Sequence, residues 1–272
     1  MGKRLEAIKI YLDSEDYSIS YRVHVQDYGW MNWVNSGEMA GTTGQSRRVE
    51  AIQIKLIKNN KVVQEEIISE NRRQFGIDVS KYQGDIDWKK VKRAGIDFAM
   101  IRCGYRGYTE GHLNEDIRFA QNVRNAFSSG INVGIYFYSS AITVDEAIEE
   151  ANYVISLINK YNFSESISYP LAFDIEDFEG TRNFILSKEE RTQIVKAFCN
   201  TIKSNGYNPI IYSYTYFLQE KLYLDQLNNF ETWIADYYGN TWYNREFKMW
   251  QYTDKGRIDG INGNVDLNYS YF

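Results

Sequence analysis

A chain of 272 residues exceeds the usual single-domain size, and 43% hydrophobic with 25% charged residues is the composition of a folded protein, not a disordered one. Lys+Arg 31 against Asp+Glu 36 gives a net charge of −5, which argues against a nucleic-acid partner, because such binding rests on clustered positive charge. The two cysteines, Cys103 and Cys199, are too few for a disulfide scaffold and have no Cys/His cluster beside them for zinc; they read as buried free thiols, and no metal or cofactor is expected.

The chain opens on Met1-Gly2-Lys3-Arg4 with no apolar segment behind it, so no signal peptide is visible, and no apolar run is long enough for a membrane span. An internal echo follows. Arg4-Leu5-Glu6-Ala7-Ile8-Lys9-Ile10-Tyr11-Leu12 returns 44 residues later as Arg48-Val49-Glu50-Ala51-Ile52-Gln53-Ile54-Lys55-Leu56, identical at six of nine positions. This marks a repeated supersecondary unit of which one full copy is present, so the expectation is that the chain begins on the tail of an earlier unit. Both segments alternate as strands do, with Ile8 and Ile10 on one face and Ala7 and Lys9 on the other. Tyr17 to Val25 alternates too, and the stretches at Asp27–Val34 and Gly41-Thr42-Thr43-Gly44 read as turns. A small all-β module over residues 1–70 is predicted, ending in a closing strand and a polar linker.

Gly29-Trp30, Trp33-Val34, Gly37, Gly41-Thr42-Thr43-Gly44-Gln45 and the strand Arg48–Ile52 together resemble the clostridial hydrophobic (ChW) repeats. The resemblance implies adhesion to a surface or cell wall, with Trp30 and Trp33 as candidate contacts. The same two tryptophans also suit the core of a tiny domain, which needs its large apolar side chains inside.

From Phe75 onward, apolar strands alternate with helical stretches. The strand candidates are Phe75–Val79, Phe98–Cys103, Val133–Tyr138, Leu171–Ile175, Ile210–Tyr214, Thr232–Ala235, Met249–Tyr252 and Val265–Leu267. Helices are predicted at Trp88–Ala94, Leu113–Phe127, Val144–Asn159, Lys188–Ser204 and Phe217–Lys221; the fourth follows Ser187 with Glu190 three residues on, a capping box. The alternation implies a parallel sheet. Over residues 71–272 this is an irregular TIM-like β/α barrel, five β/α units and then three strands.

Reactive groups of a parallel barrel gather where its strands end. The first strand delivers Asp78, the fourth Asp174 and Glu176 followed by Asp177, and the last Asp266. Asp174 and Glu176 are two residues apart and share a face. Carboxylates crowded in one cleft cannot all ionise at neutral pH, so at least one keeps a proton for a leaving glycosidic oxygen while its neighbours stabilise developing positive charge. The same acids also suit a magnesium or calcium ion, or the capping of helices. Tyrosine is abundant, 23 residues, and a ring with a polar tip suits sugars. Tyr136, Tyr138, Tyr212, Tyr214, Trp233, Asp236, Trp250 and Gln251 stand at these strand ends as candidate substrate contacts, or as filling of the barrel. His24 and His112 are isolated and support no catalytic triad.

Gly76-Ile77-Asp78-Val79-Ser80 with Gln83-Gly84, Ile101-Arg102, Gly134–Tyr138, Leu171–Glu176, Ile211-Tyr212-Ser213, Trp233-Ile234-Ala235, Trp250-Gln251-Tyr252 and Gly263–Asn268 resemble, in order and spacing, the family 25 glycoside hydrolases, the Chalaropsis-type lysozymes. The resemblance implies a muramidase cutting the β-1,4 bond between N-acetylmuramic acid and N-acetylglucosamine. By position, Glu176 would be the general acid/base. Asp174 would be the nucleophile or the group that orients the acetamido arm, and Asp78 and Asp266 further cleft acids. The expected partner is peptidoglycan, with no nucleic acid and no membrane, and oligomeric state is left undetermined. The site of action would be the bacterial wall, for a phage endolysin or a bacterial autolysin. A chitinase-like glycosidase and a non-catalytic glycan-binding adhesin are the competing readings.

Overall fold

The computed structural model describes residues 4–14, 17–58, 61–64, 73–239 and 241–272. The chain divides into two compact units, Met1–Arg72 and Arg73–Phe272.

The first unit holds β1 (Ala7–Lys9), β2 (Tyr17–Val25), β3 (Gly29–Trp30), β4 (Val34–Asn35), β5 (Met39–Gly41), β6 (Val49–Lys58) and β7 (Lys61–Gln64). β2 and β6 are its antiparallel backbone, flanked by β3, β4 and β7, while β1 pairs separately with β5. Alternation decides the faces. Ile19, Tyr21, Val23 and Val25 point into a core with Ala40, packed by Ile8, Ile10, Leu12, Ile52 and Ile54. The two copies of the echo therefore feed the same core from different sheets. Gly41 explains the close approach of β1: at φ +119° its Cα faces Ala7, and a Cβ would lie 2.3 Å from the Glu6 carbonyl. The polar linker expected before residue 72 lies outside the described residues.

The second unit is a closed barrel. Its staves are β8 (Gln74–Val79), β9 (Phe98–Arg106), β11 (Asn132–Ser139), β12 (Ile167–Ile175), β13 (Pro209–Tyr214), β14 (Glu231–Ala235), β15 (Met249–Gly256) and β16 (Val265–Ser270), with a short β10 (Leu113–Glu115) outside β9. Helices α1 (Trp88–Arg93), α2 (Phe119–Ser128), α3 (Val144–Tyr161), α4 (Lys188–Ser204) and α5 (Thr215–Lys221) follow the first five staves, and among the described residues none of the last three carries an α-helix. Staves β8 to β15 run parallel; β16 alone is antiparallel to both neighbours and closes the ring onto β8.

Period two along each stave sorts the side chains. Ile77, Ile101, Phe137, Phe173 and Ile175 face the helices in one large core. Phe98, Met100, Ala172, Ile210, Tyr212, Trp233 and Met249 fill the interior. The interior is a packed core, not a channel. Gly134 shows how tight it is: a Cβ there would stand 2.8 Å from Tyr169 Cβ and 2.9 Å from the Pro170 carbonyl.

Three expectations need correction. Leu113 does not begin a helix: residues 113–115 pair antiparallel with β9, and α2 starts at Phe119. The segment is too short to carry a helical stripe, and the unpaired end of β9 offers it a ladder. The sheet is not wholly parallel. Asp266 consequently does not stand at a strand's C-terminal end; it is the second residue of β16.

Candidate active site

Reversal of β16 is what brings the acids together. An antiparallel stave presents its beginning where its neighbours present their ends, so Asp266 falls in register with Asp78 at the end of β8. On the other side of the ring, Asp174 ends β12 in register with Tyr138 of β11 and Tyr212 of β13. Glu176 follows two residues on, with Ile175 pointing out into the helix layer between them. Asp78, Asp174, Asp266 and Glu176 feel each other's charge, so they form one cluster at one end of the barrel.

The barrel interior holds this cluster by hydrogen bonds from below. Trp233 Nε1 donates to Asn268 Oδ1 at 2.9 Å, and Asn268 Nδ2 donates to Asp78 at 2.7 Å. The Tyr212 and Tyr237 hydroxyls donate to Gln251 Oε1 at 2.8 and 2.5 Å, and Gln251 Nε2 donates to the same Asp78 oxygen at 2.9 Å. Two amide donors on one oxygen favour the ionised carboxylate and work against the burial that raises its pKa. Asp266 supplies a third hydrogen bond to Asp78. Burial and the Asp78 charge push the Asp266 carboxyl up to about 8.

Glu176 has no such support. Burial first, then the charges of Asp78 and Asp177, raise it to about 7. Asp174 is raised well above its ordinary value by burial and by Glu176 and Asp78, with Arg102 opposing. One of its oxygens, Oδ1, is buried without a hydrogen-bond partner. A proton donor poised near neutrality thus sits two residues from a carboxyl that lacks a partner.

The other expected contacts divide. Tyr136 and Tyr138 are half-buried on β11 beside Arg102 and Asp174. Tyr212, Trp233 and Gln251 are buried and serve the network under Asp78. Tyr214 donates to Asp177 at 3.2 Å. Asp177 is ion-paired with buried Arg191 of α4 at 2.5 Å, which anchors the loop after β12. Asp236 accepts from the backbone N–H of Trp242 and from Thr215 Oγ1, both at 3.3 Å, so its carboxylate organises its own loop. Trp250 faces away from Gln251, packs on Tyr252 and Tyr269, and donates to the Asp236 carbonyl at 2.8 Å; the structure does not bring it to the acids.

Sequence reading missed Asn268, Tyr237 and Arg102. Asn268 is two residues from Asp266, and period two alone would have found it. Arg102 was hidden by a bulge. The β9–β11 register shifts at Cys103, so Arg102 pairs with Tyr136 while Tyr105, three residues on, pairs with Tyr138. Arg102 is the cation that lowers Tyr136, Tyr138 and Asp174 toward ionisation.

In the first unit, Trp30 and Trp33 lie on the side of the sheet opposite its core. Arg22 stands 5.0 Å from the Trp30 ring and 4.8 Å from the Trp33 ring, and Lys55 covers Trp33 at 4.3 Å. Trp30 keeps 41% of its surface exposed and lines a cleft with Tyr28, Met31, Asn32 and Met39. The alternative of tryptophan core packing is not what the fold uses.

A β/α barrel whose strand ends carry an acid cluster and a glutamate titrating near neutrality is the scaffold of a glycoside hydrolase. The pattern of the glycosyl hydrolases family 25 matches residues 77–261, roughly two thirds of the sequence, and the chain belongs to that family. The clostridial hydrophobic W pattern matches residues 24–58. Protein YegX of Escherichia coli K12 is 30% identical over 200 residues, covering 71% of this chain and 68% of its own. Lysozyme M1 of Streptomyces globisporus is 29% identical over 208 residues, covering 71% and 66%. Among solved structures, the modular autolysin LytC of Streptococcus pneumoniae in complex with a synthetic peptidoglycan ligand is similar at a TM-score of 0.65 and 28% identity, over 83% of this chain and 55% of that one. The chain thus spans about half the length of that autolysin.

Proposed function

We propose that the protein is an N-acetylmuramidase that cuts the β-1,4 bond between N-acetylmuramic acid and N-acetylglucosamine in peptidoglycan. The observation that carries this is Glu176, raised to about 7 inside a cluster of three further acids. In this reading, Glu176 gives its proton to the glycosidic oxygen as the bond breaks. Positive charge developing at the sugar carbon is met by ionised Asp78, whose charge the amides of Gln251 and Asn268 hold in place. Asp174, with its unpartnered oxygen, attacks that carbon once its own proton has left to water, or accepts the acetamido N–H so that the substrate's own carbonyl attacks. In both routes Glu176, now a base, then activates the water that completes hydrolysis. Tyr136 and Tyr138 offer rings and hydroxyls to the sugar.

The first unit, in this reading, holds the enzyme on the wall. Support comes from the clostridial hydrophobic W match and from the outward-facing, half-exposed Trp30. Tethering raises the local concentration on an insoluble substrate, so modest affinity suffices. The protein then acts at the bacterial cell wall.

The deciding experiment digests purified walls, reduces the new ends with borohydride and identifies the reduced sugar. Reduced muramic acid is expected. Reduced glucosamine alone would instead favour a chitinase-like cleavage, and no new reducing ends would favour an adhesin.

A further inference from the structure

One cluster at the mouth of the barrel has no part in the chemistry above. Directly after β8, Ser80 and Gln83 cap each other across a single 3₁₀ turn, Lys81–Gln83. The turn is pinned by Asp116, which accepts from the Lys81 backbone N–H at 3.0 Å and from Arg102 Nε at 2.8 Å. As a result the Lys81 ammonium stands 5.4 Å from the rings of both Tyr82 and Tyr105, and the Arg102 guanidinium lies over the same rings at 5.1 and 5.4 Å. The Cys103 bulge turns Tyr105 to the side of Tyr138, which is in register with Asp174. Arg102 acts on Asp174 of the acid cluster, and Lys81, three residues beyond Asp78, shares its two rings, which puts the ammonium on the same rim.

Their occupancy differs. Arg102 is bound to Asp116, and Arg106, Arg182 and Arg191 are each held by carboxylates. Lys81 has no carboxylate partner among the described residues, although it is half-buried. Tyrosine faces stabilise a cation without consuming its hydrogen-bond donors. The rim thus presents an oriented ammonium, its donors unspent, on the same mouth of the barrel as the acid cluster. Such a group matches an anion that arrives with the substrate.

We propose that Lys81 is a specificity-determining residue that pairs with a carboxylate on the muramyl unit. That carboxylate is either the lactyl acid or, where the lactyl group is acylated, an acid of the peptide stem. This deepens the muramidase reading and rests on it. A neutral N-acetylglucosamine polymer offers Lys81 nothing, so the pairing separates the two substrate classes.

The test compares the full-length protein on alternating glycan oligomers that differ only at the lactyl group: free acid, N-methylamide, and a dipeptide amide with a free carboxylate. For the parent, kcat/KM on at least one acidic substrate should exceed that on the methylamide by about tenfold, mainly through KM, and the preference should shrink as NaCl is raised. In Lys81→Gln the preference should fall to near parity, and Lys81→Arg should keep most of it. Loss on the free acid alone assigns the lactyl group, and loss on the dipeptide alone assigns the stem; each supports the proposal. A preference unchanged in Lys81→Gln, a uniform drop on all three substrates, or no salt-sensitive preference in the parent would overturn it. If the parent leaves all three uncut but cuts neutral N-acetylglucosamine oligomers, the muramidase reading itself fails, and this proposal with it.

Discussion

Glu176 and Asp266 are acids whose ionisation the fold delays to near-neutral pH. Their values of about 7 and about 8 lie above the ordinary 4.5 and 3.8, and burial is the largest cause for both. For a proton donor this sets a pH limb with a definite sign: kcat/KM on wall fragments should fall as pH rises through about 7, because Glu176 then loses the proton it must give. Glu176→Gln should lower turnover about a hundred- to ten-thousand-fold and abolish turbidity clearing. Parental rates in that variant would remove Glu176 from the chemistry. The same shifts carry a stability consequence. Groups whose pKa rises on folding stabilise fully below their unfolded values, and that contribution is lost as pH climbs through the folded values. Glu176→Gln and Asp266→Asn should therefore melt roughly 2–4 °C above the parent at pH 8, with little gain at pH 4, measured by calorimetry.

At the scale of elements, the strands and helices of the barrel were legible because burial writes itself in periods. Ile77, Ile101, Phe173 and Ile175 alternate with the inward set, and Ser187 with Glu190 marks the start of α4; the structure shows both halves of that capping box. Illegible features were those set by pairing between distant strands. Neither the bulge at Cys103 nor the reversal of β16 is encoded in a local pattern, since each depends on which stave lies alongside. The four acids come together all the same. Asp266 reaches the cluster from the beginning of its strand, for a reason opposite to the expected one. Two substitutions test the packing. Gly134→Ala should cost about 1–3 kcal/mol in denaturant unfolding, because the atoms it would meet include backbone. Asp177→Asn leaves Arg191 buried with half its ion pair gone, and should cost about 3–5 kcal/mol.

For the whole molecule, the two units make separable contributions in the proposed reading. Trp30→Ala in the full chain should weaken co-sedimentation with walls while hydrolysis of soluble fragments keeps its parental rate. Trp33→Ala should weaken co-sedimentation less, because Arg22 and Lys55 already cover that ring. Equal sedimentation of Trp30→Ala and parent would remove the tether from the account. One property of the barrel reaches beyond catalysis. The hydrogen bonds on Asp78 come from Gln251 and Asn268, 173 and 190 residues downstream. A ribosome that has made the first seven staves has made a sheet with two open edges and an Asp78 that has Gln251 but not Asn268 or Asp266 to bond it. Only arrival of the final stave seals those edges and brings Asn268 and Asp266 to that aspartate. Synthesis itself thus acts as a safety catch: the acid cluster stays incomplete until this last stave has been translated.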